Sequence, residues 1–387
     1  MESKGKVALF TFFRNNFGSF LQCYSTKTVL EKNGWTCNVF EVCKEKGILH
    51  SFENKLRSLN KAIRINNRYS GYLGKLVANR LKRRGKAIDL SNGTHAQIDQ
   101  AINEYLKPIN EREKDLLKLG LDPTYSFFIT GSDQVWNPSI FVPDYFFLNF
   151  APKEKRVAFA PSIGINSIPK EYGFIKDYIK GFNQISLREE ESIDLVKTFY
   201  KGPISRVGDP AIMLSKNQWQ EFSNNGIKIK GNYFLINFLD EPSSSAIKTI
   251  NEYLSKIGDV SLICIGFNFK GYKLFRNHRF LDSIGPKDYV SLILNAKEIF
   301  TDSFHTSLFS IILNKCFFCF ERQYSTDKPQ EIRILDLLNR FSMSTRYIKE
   351  ETDLSKIKTN NDETLIQLER ENTTSYLLSS LEKGRQK

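Results

Sequence analysis

Residues Thr301 to Phe318 read TDSFHTSLFSIILNKCFF, and their types and order suit acid–base chemistry on an anion. An apolar run ends at Phe300, and Thr301, Asp302 and Ser303 suit a strand end followed by a helix N-cap. Apolar residues at Leu308, Ile311 and Ile312 continue the helix, so His305 falls in its first turn beside Ser303, Thr306 and Ser307. The N–H groups of a first turn have no partner within the helix, and the positive end of the dipole adds to them. Such a terminus receives a phosphate or carboxylate. An imidazole beside it gives or takes a proton near neutral pH. The pairing predicts an enzyme that acts on a phosphorylated small molecule.

Other groups could share that work. Arg188 closes a predicted strand, Gln184–Leu187, and a planar guanidinium there suits bidentate binding of a carboxylate or phosphate; a salt bridge to a neighbouring acid is its structural use. Arg322 follows the predicted strand Phe317–Phe320 as a second clamp or as a solvated arginine. Asp133 and Gln134 stand in a turn after Gly131 and Ser132, where Asp133 is either a base for a hydroxyl or a turn cap. Trp136 is either a platform for a sugar face or a core residue. Asn15, Asn16, Gly18 and Ser19 form a first strand-to-helix loop, a natural place for sugar or phosphate contacts. Asp209, before Pro210, reads as a structural turn residue, and Lys315 follows the His305 helix and points away. The histidines at 50, 95 and 278 lack partners at ligand spacing, so no metal and no cofactor is expected. Cys316 and Cys319 form a lone CxxC within an apolar run and read as buried strand cysteines.

These residues need a frame. Val7–Phe12, a helix near Phe20–Lys32 and Thr36–Val42 make a strand–helix–strand unit that builds parallel sheets. Helix is expected over Ala96–Leu119, then strands at Ser126–Thr130, Arg156–Ala160, Gln184–Leu187 and Ser205–Val207. A second series has strands at Tyr233–Phe238, Ser261–Ile265, Glu298–Thr301 and Phe317–Phe320, with helices between them. Each polar cluster falls at the C-terminal end of a strand, where open α/β sheets bind ligands. The chain of 387 residues is thus expected to be α/β, with two Rossmann-like domains facing each other across a cleft. Residues 1–215 form the first, acceptor-side domain, residues 216–359 the donor-side domain, and residues 360–387 a terminal helix.

Charge is concentrated. Between Lys55 and Lys86 stand eleven Lys and Arg and no acid, which accounts for eleven of the net thirteen positive charges. Leucines, isoleucines and tyrosines interleave with them at helical spacing, giving a basic helical insertion over residues 53–86. It either packs on the body as a hairpin or meets anionic lipid; no nucleic-acid motif accompanies it, and none is expected as a partner. No apolar run approaches the roughly 20 residues that span a bilayer. The N-terminus enters a strand without a signal-peptide layout, so cytoplasmic residence, extending to the inner face of the plasma membrane, is expected.

Seven ordered blocks carry a resemblance: NNFGSFLQ (15–22), GSDQVWNP (131–138), YFFLNF (145–150), VAFAPSIG (157–164), ISLREEES (185–192), VGDPAIML (207–214) and TDSFHTSLFSIILNK (301–315). Together the chain resembles the polysaccharide pyruvyl transferases. It departs from them in having Thr306 where many members have glycine, and in the basic insertion. The resemblance implies a GT-B-like fold. It implies transfer of a pyruvyl group from phosphoenolpyruvate to two sugar hydroxyls as a cyclic ketal, on a lipid-linked or polymeric acceptor of capsule or exopolysaccharide assembly. His305, Asp133 and Arg188 would then be catalytic. Asn15, Asn16, Gly18, Ser19, Ser132, Gln134, Trp136, Ser303, Thr306, Ser307 and Arg322 would bind substrate. A glycosyltransferase of the same architecture using a nucleotide sugar is the alternative.

Overall fold

The computed structural model describes residues 4–43, 90–138, 140, 143–322, 331–359 and 361–385. The expected basic insertion, residues 53–86, lies outside them.

Two parallel sheets organise the chain. The first has seven strands: β1 Gly5–Phe10, β2 Trp35–Cys43, β3 Ile109–Arg112, β4 Tyr125–Thr130, β5 Arg156–Ala158, β6 Ile185–Leu187 and β7 Ile204–Arg206, in the order β3-β2-β1-β4-β5-β6-β7. The second has six: β8 Tyr233–Asn237, β9 Ser261–Cys264, β10 His278–Phe280, β11 Glu298–Thr301, β12 Cys316–Phe320 and β13 Tyr347–Ile348, in the order β10-β9-β8-β11-β12-β13. Both orders reverse direction once, between β1 and β4 and between β8 and β11. Chains leave the two central strands toward opposite faces there and open a crevice at the carboxyl ends.

The central strands are apolar runs because both faces are covered. Val7, Ala8 and Leu9 of β1 and Ile299 and Phe300 of β11 are fully buried. Six helices bear on the site: α1 Phe17–Lys32, α2 Asn92–Ala101, α3 Pro286–Asn295, α4 Phe304–Ile312, α5 Glu331–Arg340 and α6 Glu363–Arg385. The facing sides of the two sheets share one apolar cluster, which runs from Val7, Phe17 and Phe20 to Tyr289, Phe309 and Phe317. The Phe17 and Tyr289 rings stack at 4.8 Å where α1 meets α3. The outer faces have separate cores, around Phe128 and Trp136 in one domain and Phe234 and Phe300 in the other.

The last helix, α6, crosses back to the first domain. Thr373 accepts from Gly208 N, Arg370 donates to Ile212 O, and Ile366, Leu377 and Leu381 join the shared cluster. Arg340 of α5 fastens the crossing: it donates to Glu369 of α6 at 2.7 Å, to Asp336 at 2.6 Å, and to the carbonyls of Val207 and Arg188.

One stretch departs from expectation. The sequence predicts helix over Ala96–Leu119, but α2 stops at Ala101, a single wider turn follows to Leu106, residues 109–112 form β3, and helix resumes only at Leu116–Gly120. That strand is short, polar and almost wholly exposed at a sheet edge, so it carries no alternation of apolar residues. The edge strand β10 is hidden for the same reason, and β13 because its two residues are too few to show a pattern.

Candidate active site

The loops after β1 and β4 build one wall. After β1 the chain reaches Asn15 in the left-handed region (φ 59) and Asn16, whose side chain caps α1 by accepting from Gly18 N at 2.7 Å and Ser19 N at 3.4 Å. After β4, Asp133 also adopts positive φ (62). Its Oδ2 accepts from Ser19 Oγ at 2.5 Å and its Oδ1 from Gln134 N at 2.9 Å. Gln22 ties the two loops: Nε2 donates to Thr11 Oγ1, Phe12 O and Ser19 O, and Oε1 accepts from Ser132 N.

The loop after β11 builds the other wall. Ser303 caps α4 by accepting from Thr306 N at 3.4 Å, and His305 lies in the first turn. Its ring lies directly on α1: a Cβ added at Gly18 would fall 2.1 Å from both Cγ and Nδ1 of the imidazole. Only the absence of a side chain at Gly18 lets the ring approach. The N-termini of α1 and α4 therefore converge on one imidazole. The narrow cleft between them is lined by Asn15, Asn16 and Gly18 on one side and Asn237, Ser303 and His305 on the other. Leu90, the first described residue after the basic stretch, also lines it.

Behind the ring stands a buried ionic group. His305 Nε2 is 3.6 Å from Asp209 Oδ2, within reach of charge attraction and beyond a hydrogen bond. Arg188 Nη1 donates to the same Asp209 oxygen at 2.6 Å, and its Nε donates to Glu189 at 2.9 Å. Burial works to raise the Asp209 carboxyl, but His305 and Arg188 outweigh it and hold it at about 2. Asp133 is likewise held below the usual carboxylate range: burial opposes this, and His305, Arg188, Arg333 and Ser19 prevail. Both carboxylates are ionised throughout the working pH range, so His305 faces fixed negative charge.

The expected site residues divide. His305, Asp133, Ser19, Gly18, Asn15, Asn16 and Ser303 come together at the crevice. Arg188 is 2% exposed and bound to two carboxylates through Nε and Nη1, and its Nη2 is buried without a hydrogen-bond partner. Arg322 lies at the end of β12 and holds its own domain together, donating to Asp302 O at 2.9 Å with Nε 3.3 Å from Asp302 Oδ2. Asp302 in turn accepts from Leu239 N and Asp240 N, and burial pushes its carboxyl up to about 6 against the pull of Arg322 and those N–H groups.

Of three hydroxyls expected to bind substrate, two are bonded internally and the third is buried. Ser132 Oγ donates to Ala160 O at 2.8 Å. Thr306 Oγ1 pairs with Asn237 Nδ2 and Tyr289 OH. Ser307 is wholly buried beside Cys319. Gln134 accepts from Asn137 Nδ2 at the rim of the loop.

Trp136 is a core residue. It is fully buried, stacked on Phe147 at 5.6 Å and against Phe182, with its Nε1 donating to Phe146 O. Trp136→Ala is expected to cost about 3–5 kcal/mol of stability through the cavity it leaves, with the KM for a sugar acceptor unchanged in the folded fraction. Denaturant unfolding checks the first part and initial rates the second; a raised KM at undiminished stability would restore the platform role.

Asp209 was read as a turn residue, although it follows a strand end as the other site residues do. Glu189 and Gln22 give no local signal of a role, because only the tertiary arrangement brings them to Arg188, Ser19 and Ser132. Among the described residues, no group of three or more His, Cys, Asp or Glu is placed to hold a metal ion.

The family model described as polysaccharide pyruvyl transferase matches residues 16–324, from the cap of α1 through β12. The chain belongs to that family. Gly18, Asp133, Arg188, Asp209 and His305 all fall within the matched residues. A search of curated proteins finds no match. Among solved structures, UDP-GlcNAc 2-epimerase from Methanocaldococcus jannaschii is 12% identical, with 97% of this chain and 99% of that chain covered and a TM-score of 0.51. The enzyme of that name from Neisseria meningitidis, bound to UDP-GlcNAc, is 10% identical, with 98% and 100% covered and a TM-score of 0.51. A putative UDP-N-acetylglucosamine 2-epimerase from Listeria monocytogenes is 10% identical, with 97% and 95% covered and a TM-score of 0.50. At such identities the likeness is one of fold, and the fold is GT-B. Among the described residues, no helix is long and apolar enough to cross a membrane.

Proposed function

We propose that the protein transfers the pyruvyl group of phosphoenolpyruvate to two hydroxyls of one sugar, forming a cyclic ketal and releasing phosphate. The observation that carries this reading is the Asp209–His305 pair seated on Gly18 where the two sheets' crevices meet, in a chain of the pyruvyl transferase family. The reaction needs a proton donor at the methylene carbon of the donor. The carbon bearing the phosphate then becomes oxocarbenium-like and takes the first sugar hydroxyl, which gives up its proton. The second hydroxyl closes the ring as the C–O bond to phosphate breaks, and its proton goes to the departing phosphate. His305 delivers the first proton and accepts one back. Asp209 and Asp133, fixed as carboxylates, steady the imidazolium and the positive charge that develops on carbon. The paired helix ends receive the donor's anionic groups. The acceptor is a cell-surface glycan or its lipid-linked precursor, and the eleven cations between Lys55 and Lys86 attract it or the anionic lipid around it.

Incubation with phosphoenolpyruvate and a panel of lipid-linked sugars is expected to release phosphate in step with a product of pyruvate-ketal mass. Nucleotide release from a nucleotide sugar, with no response to phosphoenolpyruvate, would overturn the reading in favour of glycosyl transfer. Phosphoenolpyruvate alone at a hundredfold excess over Kd is expected to stabilise the fold by about 2.7 kcal/mol, read as a rise in Tm.

A further inference from the structure

Asn237 puts an unpaired acceptor into the crevice. It ends β8, a central strand of the second sheet, and is 3% exposed. Its backbone carbonyl accepts from Thr301 Oγ1 at 2.6 Å, across the pairing of β8 with β11. The two ends of its side chain differ in setting. Nδ2 donates to Thr306 Oγ1 at 2.8 Å, and Thr306 Oγ1 meets Tyr289 OH at 2.9 Å. Thr306 and Tyr289 are buried, so that end of the amide faces the protein. With the N–H given there, the carbonyl of the same amide is turned the other way. Oδ1 is buried without a hydrogen-bond partner. It faces Gly266 (φ 82), just past β9, where an added Cβ would fall 2.7 Å from it, so no side chain at 266 shields the oxygen.

Asn237 and Gly266 line the cleft together with Ser303 and His305. His305 Nε2 is likewise buried without a hydrogen-bond partner. A buried amide oxygen left unpaired is costly, and folded proteins hold few of them. What pairs with it must carry a proton. Fully ionised phosphoenolpyruvate offers acceptor oxygens alone and would be repelled there. A sugar hydroxyl brings the proton that the oxygen lacks.

We propose that Asn237 binds the acceptor: its Oδ1 accepts a hydrogen bond from a hydroxyl of the sugar, and Thr306, backed by Tyr289, is the positioning residue that aims it. This rests on the ketal-forming reading above and adds to it a residue that selects the acceptor. A hydroxyl held at Asn237 fixes how the sugar ring sits against His305. A sugar without that hydroxyl, or inverted at that carbon, leaves Oδ1 unpaired and is rejected. The cleft is narrow, so the loops after β1 and β9 part to admit the ring.

The test uses the full chain with Asn237→Leu, Thr306→Val and Thr306→Ser. Protection from melting is measured with phosphoenolpyruvate and with the methyl glycosides of glucose, galactose, mannose and N-acetylglucosamine, the sugars at about 100 mM, a hundredfold above a millimolar Kd. At least one glycoside is expected to raise the wild-type Tm. Asn237→Leu is expected to bind that glycoside about tenfold more weakly and to keep its protection by phosphoenolpyruvate. Thr306→Val is expected to lose less, and Thr306→Ser, which keeps the hydroxyl, to match wild type. Equal glycoside protection of wild type and Asn237→Leu, or no protection of wild type by any of the four, overturns the proposal. So does loss of phosphoenolpyruvate protection in place of glycoside protection, since the amide would then present its N–H groups to the donor. Glycoside protection lost in Asn237→Leu, with no response of any of the proteins to phosphoenolpyruvate, keeps the contact and removes the donor reading. If Asn237→Leu does not fold, the Thr306 pair decides, and equal glycoside affinity in Thr306→Val and Thr306→Ser overturns the proposal.

Discussion

His305→Gln is expected to lower kcat by about 100- to 10,000-fold, equivalent to about 3–5 kcal/mol of barrier, while the protein stays folded. The ring is the titratable group in the crevice that two ionised carboxylates face without a proton of their own to offer, since Asp209 and Asp133 are both held below the usual range. Neither neighbour can replace it as an acid. Glutamine keeps the volume and a polar end, so packing against Phe304 and Gly18 survives, and the melting temperature should shift by only a few degrees. Phosphate release from phosphoenolpyruvate in the presence of acceptor reads the effect. Activity within threefold of wild type would remove His305 from the chemistry.

Gly18→Ala is expected to cost about 100-fold in activity without removing a reacting group. Apolar atoms rest about 3.5–4.0 Å apart, and the added carbon would lie 2.1 Å from the imidazole. Either the ring or the end of α1 must shift by more than an ångström, and a misplacement of that size costs about 10²-fold. A double-mutant cycle separates this from general damage. In a His305→Ala background the obstructing ring is gone, and alanine within a helix is then as good as glycine or better by about 0.4–1 kcal/mol. The substitution at position 18 should therefore destabilise the wild type and leave the His305→Ala protein unharmed. Equal destabilisation in both backgrounds would show that the contact across the crevice does not exist in solution.

Much of the first-order architecture can be read in the chain because the central strands have no choice. Val7–Phe10 and Glu298–Thr301 are short apolar runs closed by polar turns, and burial on both faces leaves that signature. The helix cap at Ser303 could be read from residue type, and it put His305 in a first turn correctly. What the chain conceals depends on distance in space. Asp209 looks like any Asp-Pro turn until Arg188, 21 residues earlier, is found bonded to it. Trp136 follows a polar turn as a sugar platform would, but the 3-10 turn around Tyr145–Phe147 folds over it. Ser132, Thr306 and Ser307 have the right chemistry in the right loops, and whether a hydroxyl faces a cleft or a neighbouring strand is set by half a turn of backbone.

The return of α6 to the first domain has a consequence for synthesis. Domains generally fold in the order in which they leave the ribosome. Here Val207 and Ile212 near the end of the first domain share their apolar cluster with Leu377 and Leu381, which follow the whole second domain in the chain. The amino-terminal half therefore waits, with a greasy seam open, until the second domain and α6 have been made. A stop codon just before Glu363 would strip off the seal while leaving every residue of the crevice encoded, and the shortened product is expected to be taken up by chaperones rather than to accumulate as a competent enzyme.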